Sequence, residues 1–161
     1  MCAYKTGTLA RMSARMAAVL AEADAKLVEE LGNFAESMGV AFQMQDDVLD
    51  LTSNEFVEKK GGRGQDITEG KRSLIVIHTL RTANDADRRR LIEILNMHTT
   101  DQTLKDEAIA IMQKYGSIAY AKTFAEKTVR ESWSRVEQLF PRNEARQKLN
   151  AFAMFLIERN I

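Results

Sequence analysis

One cysteine, one proline and one tryptophan are all that the 161 residues hold of those types. Cys2 alone cannot close an internal disulfide, which excludes a disulfide-stapled scaffold and fits a reducing compartment such as the cytoplasm. Charge of one sign is also missing, because 23 Lys and Arg balance 23 Asp and Glu. Neither nucleic acid nor an anionic membrane surface is therefore expected as a partner. No apolar run approaches the roughly 20 residues of a membrane span, and no charged-then-apolar leader opens the chain. The two histidines, His78 and His98, lack metal-ligand spacing and are expected in packing or surface roles.

What the chain does have is helical periodicity from end to end. Hydrophobic residues make up 45% of it, and a chain of this length can bury a sizeable core. Leu9, Met12, Met16, Val19 and Leu20 recur at helical spacing, which predicts a first helix from about Ala3 to Ala21. The methionines are expected as core filler. Asp24 reads as the cap of a long second helix through Leu27, Leu31, Phe34, Met38, Phe42 and Gln45 to Leu51. Gly32 and Gly39 inside it each cost about 1 kcal/mol relative to Ala, which points to close helix packing or room for a ligand chain. Further helices are predicted at 71–83, 85–97, 101–114, 117–140 and 141–159, the last opening on Pro141. Trp133 and Phe140 fit a helix face. No strand, repeat or linker interrupts the pattern, so residues 1–161 read as one all-α domain or part of one.

The chemistry concentrates at the end of the second helix. Residues three and four apart share a helix face, so Gln43, Asp46, Asp47 and Asp50 line one stripe. Near the negative end of the helix dipole each carboxylate is disfavoured by roughly 0.3–1 kcal/mol, and like-charged neighbours add to that. Such a patch calls for a cation, and oxygen-only ligands suit Mg²⁺ better than zinc. The next segment, Glu55 to Ser73, brings Gly61, Gly62, Gly64 and Gly70 together with Lys59, Lys60, Arg63, Lys71 and Arg72. Glycines let backbone N–H groups approach an anion, and lysines supply charge for phosphate oxygens. From Asp46 to Arg72 there are seven acids and five bases, a balance that suits a small metal-bridged anion rather than a polyanion. A loop this long in a compact domain reads as a functional lid.

These residues carry a family resemblance. Phe42-Gln43-x-Gln45-Asp46-Asp47-x-x-Asp50 resembles the second aspartate-rich motif of the trans-isoprenyl diphosphate synthases. Upstream, Tyr4-Lys5-Thr6-Gly7-Thr8-Leu9 resembles their Lys-Thr helix start. Downstream, Gly64-x-Asp66-Ile67-x-Glu69-Gly70-Lys71-Arg72-Ser73-Leu74 is similar to their loop and following helix, and Tyr115 to Ala121 to a later helix-turn-helix. The resemblance implies an all-α isoprenoid-synthase helical bundle, here its C-terminal half, and Mg²⁺-dependent joining of an allylic prenyl diphosphate to isopentenyl diphosphate. Carried over by position, Asp46 is a direct metal ligand, and Asp47 and Asp50 support it through water or from behind. Lys5 and Lys71 grip the leaving diphosphate. Thr6 and Gln43 point oxygens toward the developing cation.

The sequence also departs from that family. Its relatives' first aspartate-rich motif lies before the Lys-Thr helix, and Asp24, Glu22, Glu29, Glu30 and Glu36 do not reproduce it. Where many relatives place a lysine four residues before the loop aspartate, Gly62 stands here, so Lys60 or Arg63 is expected to hold the diphosphate instead. The isolated half is expected to bind without turning over, and to self-associate or to join the missing N-terminal half. A non-catalytic partner subunit of a heteromeric prenyl diphosphate synthase is the alternative.

Overall fold

The computed structural model describes residues 3–53 and 62–158. Cys2, Lys59, Lys60 and Gly61, and with them part of the expected lid, lie outside the described residues. A wide π-helical turn, Ala3–Gly7, leads into α1 (Thr8–Leu20), followed by α2 (Ala25–Thr52), the short α3 (Gln65–Thr68), α4 (Leu74–Thr82), α5 (Asp85–Met97), α6 (Gln102–Lys114), α7 (Ser117–Val136), a 3₁₀ turn (Glu137–Leu139) and α8 (Glu144–Glu158). No strand occurs among the described residues, so the all-α expectation holds.

Side-chain caps set most of the helix starts, because the first N–H groups of a helix have no partner inside it. The Asp24 carboxylate accepts from Leu27 N at 2.8 Å. Asn84 accepts from Asp87 N at 2.9 Å and Asp101 from Thr103 N at 2.8 Å. Caps also explain the helix starts that the periodicity misplaced. Ser73 is extended and its hydroxyl accepts from Val76 N, so α4 begins at Leu74 and leaves Lys71 and Arg72 in the preceding connection. The Asn143 side chain accepts from Arg146 N at 3.0 Å, so α8 begins at Glu144 rather than at Pro141. At the far end of α7 the α-helical part stops at Val136, and Phe140 stands beyond it.

The described residues fall into two compact units, 3–43 with 124–158 and 44–53 with 62–123. The boundaries lie inside α2, after Gln43, and inside α7, after Thr123.

In the first unit Phe34, Ala41, Val129, Val136 and Ala153 are buried, and the rings of Phe34 and Trp133 meet at 5.3 Å between centroids. Glycines of α2 lie close to the π-helical turn and to α1. A Cβ on Gly39 would lie 2.9 Å from Gly7 Cα, and one on Gly32 would lie 2.7 Å from Arg15 Cγ. Close approach is therefore the reason for glycine at both positions. Buried Ala18 and half-buried Ala10 and Ala14 turn toward the core, whereas Leu9, Met12, Met16, Val19 and Leu20 are 51–81% exposed. The core-filler expectation fails for Met12 and Met16 and holds for Met38 and Met112. Alongside runs an apolar groove of about 540 Å³ lined by Ala14, Phe34, Met38, Phe42, Phe152 and Leu156, among others.

The second unit has a conventional core of Val48, Leu51, Ile67, Ile75, Val76, Leu91, Ile94, Leu95, Ile109 and Met112. Each such side chain contributes roughly 1.5–3 kcal/mol when fully removed from water. His78 serves packing, as expected, stacking on Tyr120 at 4.0 Å and hydrogen-bonding Ser117 Oγ at 2.9 Å. His98 closes α5 with a left-handed backbone, and its Nδ1 lies 3.0 Å from Thr68 O.

Candidate functional site

The last turns of α2 bury two carboxylates, Asp47 at 5% and Asp50 at 6% exposure, while Asp46 and Gln43 on the same stripe are half-buried. A charge removed from water must find compensation. Asp50 finds it in backbone: Gln65 N donates to its Oδ1 at 3.1 Å and Asp66 N to its Oδ2 at 3.0 Å. Those two N–H groups open α3, so the negative end of α2 is tied to the positive end of the next helix. Gly64 makes the connection possible with a left-handed backbone, φ +77°, and donates its own N–H to Asp50 O at 3.0 Å.

Asp47 finds a cation within the chain. Lys71 Nζ donates to Asp47 Oδ1 at 2.6 Å and to Asp66 Oδ2 at 2.7 Å. Leu51, Ile67, Val76 and Met112 line the same small cleft. Burial there pulls the ammonium's pKa down, and that is the largest single effect. The hydrogen bonds and charges of Asp47 and Asp66 together outweigh it, holding Lys71 above the ordinary lysine range. It therefore stays a cation with two short anionic partners. Asp66, part of the loop motif in sequence, acquires a role that its position alone did not disclose.

The other expected site residues divide by unit. In the first, Thr6 Oγ1 donates to Gln43 Oε1 at 3.4 Å, so the structure brings these two together where Gly7 meets Gly39. Lys5 is exposed on the π-helical turn, with no hydrogen bond or ion pair among the described residues. In the second, Arg63 pairs with Asp106 at 2.6 Å rather than with the stripe. Lys60 lies outside the described residues.

A hard divalent cation fits the chemistry of the donors, which are carboxylate and amide oxygens. Among the described residues no three Asp, Glu, His or Cys side chains form a metal-holding cluster. This chain would hold such an ion through one or two carboxylates, the way Mg²⁺ is commonly bound beside phosphates.

An all-helical bundle whose second helix ends in this acid-and-lysine network has the architecture of the isoprenoid synthases, and comparison with known proteins agrees. The model of the polyprenyl synthetase family matches residues 1–112. The chain is 36% identical over 156 residues to the short chain isoprenyl diphosphate synthase of Methanothermobacter thermautotrophicus, covering 96% of this chain and 46% of that protein. The solved geranylgeranyl pyrophosphate synthetase of Pyrococcus horikoshii superposes with a TM-score of 0.86 at 32% identity, over 99% of this chain and 48% of that one. The polyprenyl synthase of Caulobacter crescentus, solved with calcium and isoprenyl diphosphate, has the same fold at a TM-score of 0.88 and 22% identity, over 99% and 48% of the two chains. The chain belongs to the polyprenyl synthetase family, and spans about half the length of these relatives.

Proposed function

We propose that the chain forms one wall of the active site of a prenyl diphosphate synthase, a transferase that joins an allylic prenyl diphosphate to isopentenyl diphosphate. The observation that carries this reading is Lys71, fixed between Asp47 and Asp66 beside the Asp46–Asp50 stripe. It gives one network both acids for a metal and a cation for a diphosphate. Calcium and isoprenyl diphosphate bound together by the Caulobacter synthase support the same pairing of ligands.

Asp46 would hold Mg²⁺, with Asp47 and Asp50 behind it, and the ion would supply electrophilic neutralisation of the departing diphosphate. The chain's own groups do the rest. Lys71 donates N–H bonds to phosphate oxygens, exchanging a carboxylate partner for a phosphoryl one. Lys5 and Lys60 add charge from the two flanking segments. Arg63 would join with its remaining N–H groups, one being held by Asp106. Thr6 and Gln43, already hydrogen-bonded, present oxygen dipoles to positive charge as it forms on the allylic carbon. The apolar groove beside Phe34, Met38 and Phe42 suits a hydrocarbon tail. No second aspartate pair occurs in the 161 residues, and on this reading the chain alone binds metal and diphosphate without turning over.

Calorimetric titration of inorganic diphosphate, with and without Mg²⁺, tests the proposal. Binding is expected to require Mg²⁺ and to weaken at least tenfold in Asp46→Ala. Equal affinity in wild type and variant would remove the assigned metal role.

A further inference from the structure

Lys105 is a charged residue in an apolar position. It stands on α6 in register with Ala108, Ile109 and Met112, all in the core of the second unit, and is itself only 3% exposed. Its stem runs along Gly64: a Cβ there would touch Lys105 Cβ and Cδ at 3.5 Å. Its ammonium ends beneath Gly62, 3.6 Å from where a Cβ would stand, with Gln65 Nε2 at 3.5 Å and Gln102 Oε1 at 3.8 Å from the same point. Gly62 has φ +124° and Gly64 φ +77°, so the turn passes over these polar ends with no side chain of its own. Gly62 O accepts from Gln65 Nε2 at 3.3 Å, which pins the turn in place.

Among the described residues Lys105 Nζ has neither a hydrogen bond nor an ion pair. The adjacent acid is already engaged: Asp106 Oδ1 accepts from Arg63 at 2.6 Å and from Gln102 Nε2 at 2.8 Å. A buried ammonium with no hydrogen-bonded counter-charge, Asp106 acting on it only through space, is among the costlier arrangements in a folded protein, and an apolar residue fits the same helical register. The asymmetry is explained if the counter-charge arrives with a ligand. We propose that Lys105 is an anion-binding residue, its ammonium donating to a phosphoryl oxygen of a diphosphate seated over the Gly62–Gly64 turn. The inference rests on the function proposed above and adds to it a cation from α6 that none of the recognised motifs contains.

Inorganic diphosphate titrated in the presence of Mg²⁺ into wild type, Lys105→Met and Asp46→Ala tests it. Lys105→Met is expected to bind at least tenfold more weakly while melting no lower than wild type, since the substitution removes a buried charge that has no ion pair among the described residues. On the unaltered chain, the Nζ resonance of ¹⁵N-labelled Lys105 is expected to shift when diphosphate is added, a readout that does not depend on the variant folding. Wild-type affinity in Lys105→Met, or an Nζ resonance that stays put, overturns the inference. If Asp46→Ala still loses binding in that case, the function proposed above stands. No diphosphate binding by wild type at all overturns both.

Discussion

The end of α2 and the face of α1 invert the usual distribution of polar and apolar groups in opposite directions. At the end of α2, Asp47 and Asp50 are almost wholly buried; along α1, Leu9, Met12, Met16, Val19 and Leu20 are more than half exposed. The difference lies in compensation. Each buried carboxylate has partners at 2.6–3.1 Å, so removing a partner is expensive. The apolar row on α1 is exposed, and truncating it leaves almost nothing behind to be unsatisfied. Geometry is fixed where charge is buried, which is the precision the proposed metal and diphosphate would require.

The largest break in that comparison comes from Lys71→Met. Removing one partner of a buried ion pair costs about 3–5 kcal/mol, and the low end applies because Lys71 is 30% and Asp66 21% exposed. A loss of about 3 kcal/mol lowers the melting temperature by roughly 6–12 °C in a chain of this size. Adding Asp47→Asn to Lys71→Met should recover part of it, because the double variant no longer leaves the more deeply buried acid, Asp47, charged without its ammonium. Additive losses in a thermal-melt cycle would show that the pair is not coupled.

How much of this was legible beforehand depends on whether the signal was local. Asp24 and the acid stripe announced themselves by position, because caps and i, i+4 spacing act over one or two turns. The four motifs located the family and the fold. The row on α1 misled because periodicity shows that a helix has two faces without saying which one turns inward. Here the alanine row does, with Ala18 buried and Ala10 and Ala14 half-buried. Lys71 was visible only as a diphosphate-binding candidate, while its pairing with Asp47 and Asp66 and that of Arg63 with Asp106 depend on the connection between α2 and α4. Lys105 did leave a trace, a lysine at a core-spaced position of α6. That its ammonium makes no ion pair among the described residues is a fact of three dimensions only.

A core truncation sharpens the same contrast at comparable size. Leu91 is 0% exposed, and Leu91→Ala is expected to cost about 2–5 kcal/mol through lost transfer energy and a residual cavity. Met16→Gln, at a site 56% exposed on α1, should stay within about 0.5 kcal/mol of wild type. Urea midpoints of the two variants measure both. A cost at Met16 comparable to that at Leu91 would mean that the α1 row is covered in solution after all.

The smallest effect uses a surface counterpart of the Asp47–Lys71 pair. Asp87 Oδ2 accepts from Lys114 Nζ and from Tyr115 Oη, both at 2.7 Å. The Lys114 hydrogen bond first, and then that of Tyr115, hold the Asp87 carboxyl below its ordinary range. A depressed carboxylate pKa contributes stability that is present above the unfolded-state value, about 3.9, and lost as pH falls through the folded-state value. Lys71 has the opposite sign: its raised pKa gives a contribution fully present below the unfolded lysine value of about 10.4 and lost only as pH rises through the folded-state value. The stability difference between wild type and Asp87→Asn should therefore be flat at neutral pH and shrink below about pH 4, whereas that between wild type and Lys71→Met should begin to shrink only above about pH 10. Denaturation midpoints across a pH series separate the two. A wild-type advantage over Asp87→Asn that grew on acidification would reverse the sign and remove the assigned pairing.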